Sequence, residues 1–160
     1  MNKQYTSHAA EMGLAIPELP TVFLKPATSL ADPWPAPSIL PKITQKDNTG
    51  DYESELAIII GKTAKDVSEA DALDYVLGYT AANDVSSRTS QTNQSQWCFS
   101  KGFDSACPLG LFFCFFPVKC VLIDPLLGPV VASSSLVPDA AKLRITGARN
   151  GTVVQDCPLT

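Results

Sequence analysis

A basic stripe, an amino-terminal apolar segment, cysteines at metal-finger spacing and a membrane-length hydrophobic run are all missing from this sequence, and each absence removes a class of function. Twelve Lys and Arg residues are dispersed among 16 Asp and Glu, for a formal charge of -4. No face is prepared for phosphate backbones, so nucleic acid is not an expected partner. The first residues, MNKQYTSHAAEM, contain no apolar core of a secretory signal. Cys98, Cys107, Cys114, Cys120 and Cys157 are odd in number and lack metal-finger spacing; they read as reduced thiols of an intracellular protein, cytoplasmic or alternatively mitochondrial. The most apolar stretch, residues 109 to 132, is broken by Pro117, Lys119, Asp124 and Pro125, which argues against a membrane span. Histidine occurs once, as His8.

With 160 residues, 45% of them hydrophobic, the chain is long enough for one domain with a real core and short for two. A short helix is expected over residues 1 to 13, with His8 and Glu11 three apart on one face. The prolines at 17, 20, 26, 33, 35, 37 and 41 favour extended, turn-rich chain around a short strand at Val22, Phe23 and Leu24. The turn Asn48-Thr49-Gly50 leads into a strand over residues 51 to 60 with one buried end, closed by Gly61. Ser68 with Asp71 resembles a capping box ahead of a helix of two to three turns, followed by a strand over residues 78 to 85. Near the end, KLRITG and GTVVQD alternate about Asn150-Gly151, a type I′ hairpin signal. The class expected is therefore mainly β with few short helices, α+β.

Asp51, Glu53 and Glu55 are spaced by two, so on a strand their carboxylates share a face. Two readings fit: a solvated strand edge guarded against pairing, or a site for a hard cation such as Mg²⁺ or Mn²⁺, which takes oxygen ligands and removes the repulsion. Asp84, at the end of the next strand, is the candidate third ligand. His8 has the ordinary pKa of a general base and Glu11 could orient it, although a lone histidine near a terminus is more often simply solvated. Lys25, Arg88 and Lys101 are either surface charges or cations that hold a substrate carboxylate or stabilise an enolate.

Taken in order, Tyr5-x-x-His8-Ala9-Ala10-Glu11, Phe23-Leu24-Lys25-Pro26, Asp51-Tyr52-Glu53-Ser54-Glu55-Leu56-Ala57, Gly78-Tyr79-Thr80 running to Asn83-Asp84-Val85-Ser86, and Lys101-Gly102-Phe103-Asp104 resemble the fumarylacetoacetate hydrolase family. The match covers residues 5 to 110 and 129 to 160. The resemblance implies a mixed β roll, usually a homodimer, and a metal centre of Glu53, Glu55 and Asp84 carrying Mg²⁺, Mn²⁺ or Ca²⁺. It also implies a His8–Glu11 dyad on a lid handling water or a proton, Lys101 facing the substrate oxyanion, and Lys25, Arg88 and Gln91 contacting substrate. The implied chemistry is metal-dependent C–C hydrolysis or decarboxylation of a small 2-oxo acid of the acylpyruvate, fumarylacetoacetate or oxaloacetate type, with tautomerisation as an alternative outcome. A non-catalytic fragment is the rival from another class, since the family pattern extends beyond both ends of this chain. Residues 111 to 128 interrupt that pattern between Gly110 and Pro129. They read either as a buried strand pair or as an insertion of retained-intron type within a single, partial domain spanning residues 1 to 160.

Overall fold

The computed structural model describes residues 21–32, 36–46, 48–110, 112–113, 119–122 and 131–159. Within them run eleven strands: β1 Leu30–Ala31, β2 Gly50–Asp51, β3 Ser54–Ile60, β4 Val76–Asn83, β5 Ser86–Ser87, β6 Cys107–Pro108, β7 Phe112–Phe113, β8 Lys119–Leu122, β9 Ala132–Ser133, β10 Arg144–Arg149 and β11 Thr152–Pro158. Three short α-helices accompany them, α1 Lys42–Gln45, α2 Arg88–Asn93 and α3 Cys98–Lys101. The fold is mainly β with few short helices. No helix among the described residues is long and apolar enough to cross a membrane.

Two sheets dominate, one ordered β3-β4-β9 and the other β11-β10-β8-β7, with β1-β6 and β2-β5 as separate pairs. Among the described residues only β1 and β6 pair in parallel, making the architecture mixed. The strand expected from residue 51 is interrupted: Asp51 ends β2 opposite Ser86, and β3 begins at Ser54 opposite Asn83. Along β3 burial falls from Ser54, 1% exposed, to Ile60, 57% exposed, the one-sided burial its sequence implies. Strand alternation carries Leu56 towards the core and Glu55 to the opposite face. Val22, Phe23 and Leu24 form no strand. That segment is anchored by side chains instead, with the Phe23 ring edge-on to Trp97 at 5.9 Å and Lys25 bonded to Asp84.

The core is two small clusters, Tyr79 with Ala132 and Val137, and Ala81 with Ile145 and Leu159, and both contact Leu56 and Leu143. Each large apolar side chain buried here contributes about 1.5–3 kcal/mol. The capped segment after Ser68 winds as a 3-10 helix, Glu69–Tyr75, with Ser68 Oγ accepting from the Asp71 N–H. None of its residues is buried, so no core packing selects the wider α geometry. The hairpin of β10 and β11 turns at Asn150, φ 50°, and Gly151, φ 83°, as type I′ geometry demands. From residues 111 to 128, β7 and β8 pair with each other, and β8 lies along β10 with Leu122 opposite Ile145. The helix expected over residues 1 to 13, with His8 and Glu11, lies outside the described residues.

Candidate metal centre

Three carboxylates converge where β3 starts and β4 ends. Glu53 is held between the strands by its backbone: its N–H donates to Asn83 Oδ1 at 3.1 Å, and its C=O accepts from the Asp84 N–H at 2.9 Å. Asp84 is thereby locked to Glu53, and Glu55 follows two residues on. Glu53, Glu55 and Asp84 each offer a carboxylate oxygen, and these lie within 4.8 Å of one another. Two oxygens on one cation are at most about 4.2 Å apart for Mg²⁺ and about 5.2 Å for Ca²⁺, twice the metal–oxygen distance. The spacing therefore suits a single hard cation after little or no closure.

Positive charge surrounds the cluster. Lys101 is buried, and its Nζ meets Glu53 Oε2 at 2.8 Å and Asp84 Oδ2 at 2.9 Å. Lys25 Nζ bonds Asp84 Oδ1 and donates to the Ala106 C=O at 3.2 Å. Arg88 holds Asp51 at 2.7–2.8 Å, pairs with Glu53 and donates to Gln91 Oε1 at 2.9 Å. Asp51 is thus an anchor for Arg88 and lies outside the triad. Burial pushes the Glu53 carboxyl up, but Lys101 and Arg88 outweigh it and hold the group below its ordinary value. Glu55 differs: among the described residues it has no hydrogen-bond donor and no ion-pair partner. Burial, with the charges of Asp84 and Glu53, pushes its carboxyl up to about 7.

Lys101 and Lys25 offset this rise only in part and from a distance, and an oxygen-only donor set with one carboxylate lacking a direct partner fits a divalent cation. Proton and cation then compete for Glu55. Because its pKa is raised to about 7, the proton wins below that pH, so cation affinity should fall about fivefold as pH drops from 7 to 6, approach tenfold per unit below 6, and level off above 8. Calorimetric titration with Mg²⁺ or Mn²⁺ at those pH values checks this, and a pH-independent affinity would contradict it.

Of the residues expected from sequence, Glu53, Glu55, Asp84, Lys25, Arg88, Gln91 and Lys101 are brought together, while His8 and Glu11 are outside the described residues. Three contributors stand in the quoted motifs without a role assigned to them from sequence: Asn83, which accepts from the Glu53 N–H; Ser86, whose Oγ donates to the Asp84 C=O at 3.0 Å; and Phe23, whose ring faces Lys101 Nζ at 5.3 Å. Cys107 is electrostatically coupled to the same cluster. Burial raises its thiol pKa, Lys25 partly offsets that, and Asp84 and Glu55 add to it, so the sulfur stays protonated. Cys98, Cys107 and Cys157 are free thiols.

A mixed β scaffold whose strand ends gather an oxygen-only carboxylate cluster beside fixed lysines defines a class of protein suited to a hard cation and an anionic ligand. The model of the fumarylacetoacetate (FAA) hydrolase C-terminal region matches residues 1–160. Caffeoylpyruvate hydrolase of Neonothopanus nambi is 55% identical over 103 residues, 63% of this chain and 35% of that protein. The mitochondrial oxaloacetate tautomerase of Xenopus laevis is 34% identical over 154 residues, 95% of this chain and 41% of its own length. Among solved structures, the 5-carboxymethyl-2-hydroxymuconate delta-isomerase of Mycobacterium smegmatis superposes with a TM-score of 0.72 at 35% identity, covering 99% of this chain and 53% of the other. The chain belongs to the fumarylacetoacetate hydrolase family, and its fold is that family's. It spans between about a third and a half of the length of these curated relatives.

Proposed function

We propose that this chain carries the cation centre of an enzyme that breaks a C–C bond in a small 2-oxo acid of the acylpyruvate, fumarylacetoacetate or oxaloacetate type. The observation that carries the reading is the convergence of Glu53, Glu55 and Asp84 oxygens within 4.8 Å, with the Lys101 ammonium at 2.9 Å from Asp84. Glu53, Glu55 and Asp84 would hold Mg²⁺, Mn²⁺ or Ca²⁺, and the bound cation supplies Lewis acidity to the carboxylate and keto oxygens of the substrate. Lys101, buried and fixed between two carboxylates, adds positive charge for the electron pair that moves to the keto oxygen as the bond breaks. Arg88, half-buried and steadied by Asp51 and Gln91, and Lys25 are the groups for the substrate's carboxylate. By family resemblance His8 takes the proton of the attacking water, and Glu11 orients its imidazole.

A second reading is tautomerisation of the same compounds, favoured by the near-complete coverage of this chain by a tautomerase and an isomerase. It needs no water, only movement of a proton between carbon and oxygen. A third is a chain that keeps the cluster without turnover. Assay of an acylpyruvate and of oxaloacetate, with Mg²⁺ and with chelator, separates the three. Chelator-sensitive acylpyruvate cleavage supports the first; interconversion of keto and enol forms alone supports the second; cation binding without reaction supports the third.

The dyad is tested by His8→Ala. Loss of a general base lowers kcat by about 10²-fold, and cation affinity should stay unchanged. Acylpyruvate hydrolysis, which needs activated water, should suffer more than oxaloacetate decarboxylation, which needs mainly the electron sink. Equal losses in both reactions, or weaker cation binding, would assign His8 another role. We further propose a homodimer, which sedimentation tests, and an inserted segment at residues 111 to 128. The insertion is supported by the sequence pattern resuming at Pro129 and is refuted by a spliced transcript that retains the segment.

A further inference from the structure

We propose that Gln155, on the last strand of the described chain, is a positioning residue for the metal centre; this rests on the cation reading above. Ser54 lies between the ligands Glu53 and Glu55. Its neighbour Glu53 has both backbone polar groups taken by Asn83 and Asp84, on the β4 side. Ser54 itself belongs to β3, an edge strand of its sheet, so its own N–H and C=O need another partner. The side-chain amide of Gln155 provides both halves: Ser54 N–H donates to Gln155 Oε1 at 3.0 Å, and Gln155 Nε2 donates to the Ser54 C=O at 2.8 Å. One side chain thereby stands in for a neighbouring strand at the single residue separating two ligands.

The surroundings are shaped for this clasp. Ser54 is 1% exposed, and its buried Oγ has no hydrogen-bond partner among the described residues, so polar anchoring falls to its backbone. Gly147 lies opposite Gln155 across the hairpin. A Cβ at Gly147 would come within 2.7 Å of Ser54 Oγ, so the absence of a side chain lets β10 and β11 approach closely. Tyr52, on the other side of Glu53, donates its hydroxyl to the Val154 C=O at 3.3 Å. The hairpin therefore grips the ligand segment at residues 52 and 54, fixing the direction in which Glu53 and Glu55 leave the backbone.

The test measures Mn²⁺ dissociation constants by calorimetry, well below each protein's melting temperature. Gln155→Met keeps the size and removes both hydrogen bonds; Gln155→Asn keeps an amide too short to make both and is used if the Met variant does not fold. Gly151→Ala is the control, since a Cβ at its φ of 83° strains the hairpin turn without touching Ser54. The expected result is a Kd raised about tenfold or more in the Gln155 variant, the scale of lost support behind a ligand, and unchanged in Gly151→Ala. A wild-type Kd in the folded Gln155 variant overturns the inference, as does an equal rise in Gly151→Ala, which would tie affinity to hairpin stability. No binding by the wild-type protein overturns the cation reading itself, and the inference with it.

Discussion

Glu55→Gln should reduce Mg²⁺ or Mn²⁺ affinity on the order of 100-fold or more while leaving the metal-free protein at least as stable as wild type. Most substitutions at a buried charge destabilise, because they orphan a partner. Glu55 has no such partner among the described residues. Its folded-state pKa is raised to about 7 from 4.5, so protonation favours the fold: the contribution is full below the unfolded value and is lost as pH rises through 7. At pH 8 the wild-type chain must carry the ionised form, whereas glutamine stays neutral. The variant should therefore be more stable by on the order of 3 kcal/mol at pH 8, and no different near pH 4. Calorimetric titration and thermal melts at the two pH values provide the check. Retained affinity would remove Glu55 from the ligand set, and a lower melting temperature at pH 8 would show that its charge is compensated.

Lys101→Met should do the opposite. Its ammonium touches Glu53 and Asp84 at 2.8 and 2.9 Å and is buried, so methionine fills the volume but leaves two carboxylates facing each other without it. Removing one member of a buried ion cluster costs about 3–5 kcal/mol, equivalent to a fall of roughly 10 °C in melting temperature for a chain of this size. A divalent cation at the triad replaces the missing charge. Saturating Mg²⁺ should accordingly raise the melting temperature of Lys101→Met more than that of wild type, although turnover falls. If the cation gives no greater gain in the variant, the triad and Lys101 do not share one electrostatic site. The two substitutions thus separate a carboxylate waiting for a charge from a charge that keeps carboxylates together.

What could be read from sequence here was local. The Asn150-Gly151 turn was legible because only a few residues tolerate two consecutive positive φ angles, and both are found there. The Ser68 cap was legible because a hydroxyl three residues before an acidic side chain makes a short-range bond. The shared face of the Glu53 and Glu55 carboxylates was visible in their spacing, and Asp84 could be added from its place at a strand end. The departure of Asp51 was not legible: two residues outside the ladder separate β2 from β3, and the Arg88 that draws Asp51 away lies 37 positions later. The Gln155 clasp reaches 101 positions back along the chain, and nothing in an alternating strand sequence marks one polar residue as the partner of a distant backbone. The helix after Ser68 was legible, and its type at residues 69 to 75 was left open for lack of a packing partner to decide it.

That separation bears on how the protein folds. Lys25 reaches Asp84 across 59 positions and Gln155 reaches Ser54 across 101, so the centre is closed by contacts of high sequence separation whose loop entropy must be met before they give any return. The β10–β11 hairpin can form by itself, being local, but its grip on residues 52 and 54 cannot precede the collapse that brings it against the start of β3. Groups assembled after the rate-limiting barrier influence escape from the native state and hardly affect approach to it. A cation seated on Glu53, Glu55 and Asp84 would then lengthen the lifetime of the folded chain, leaving its refolding rate nearly untouched.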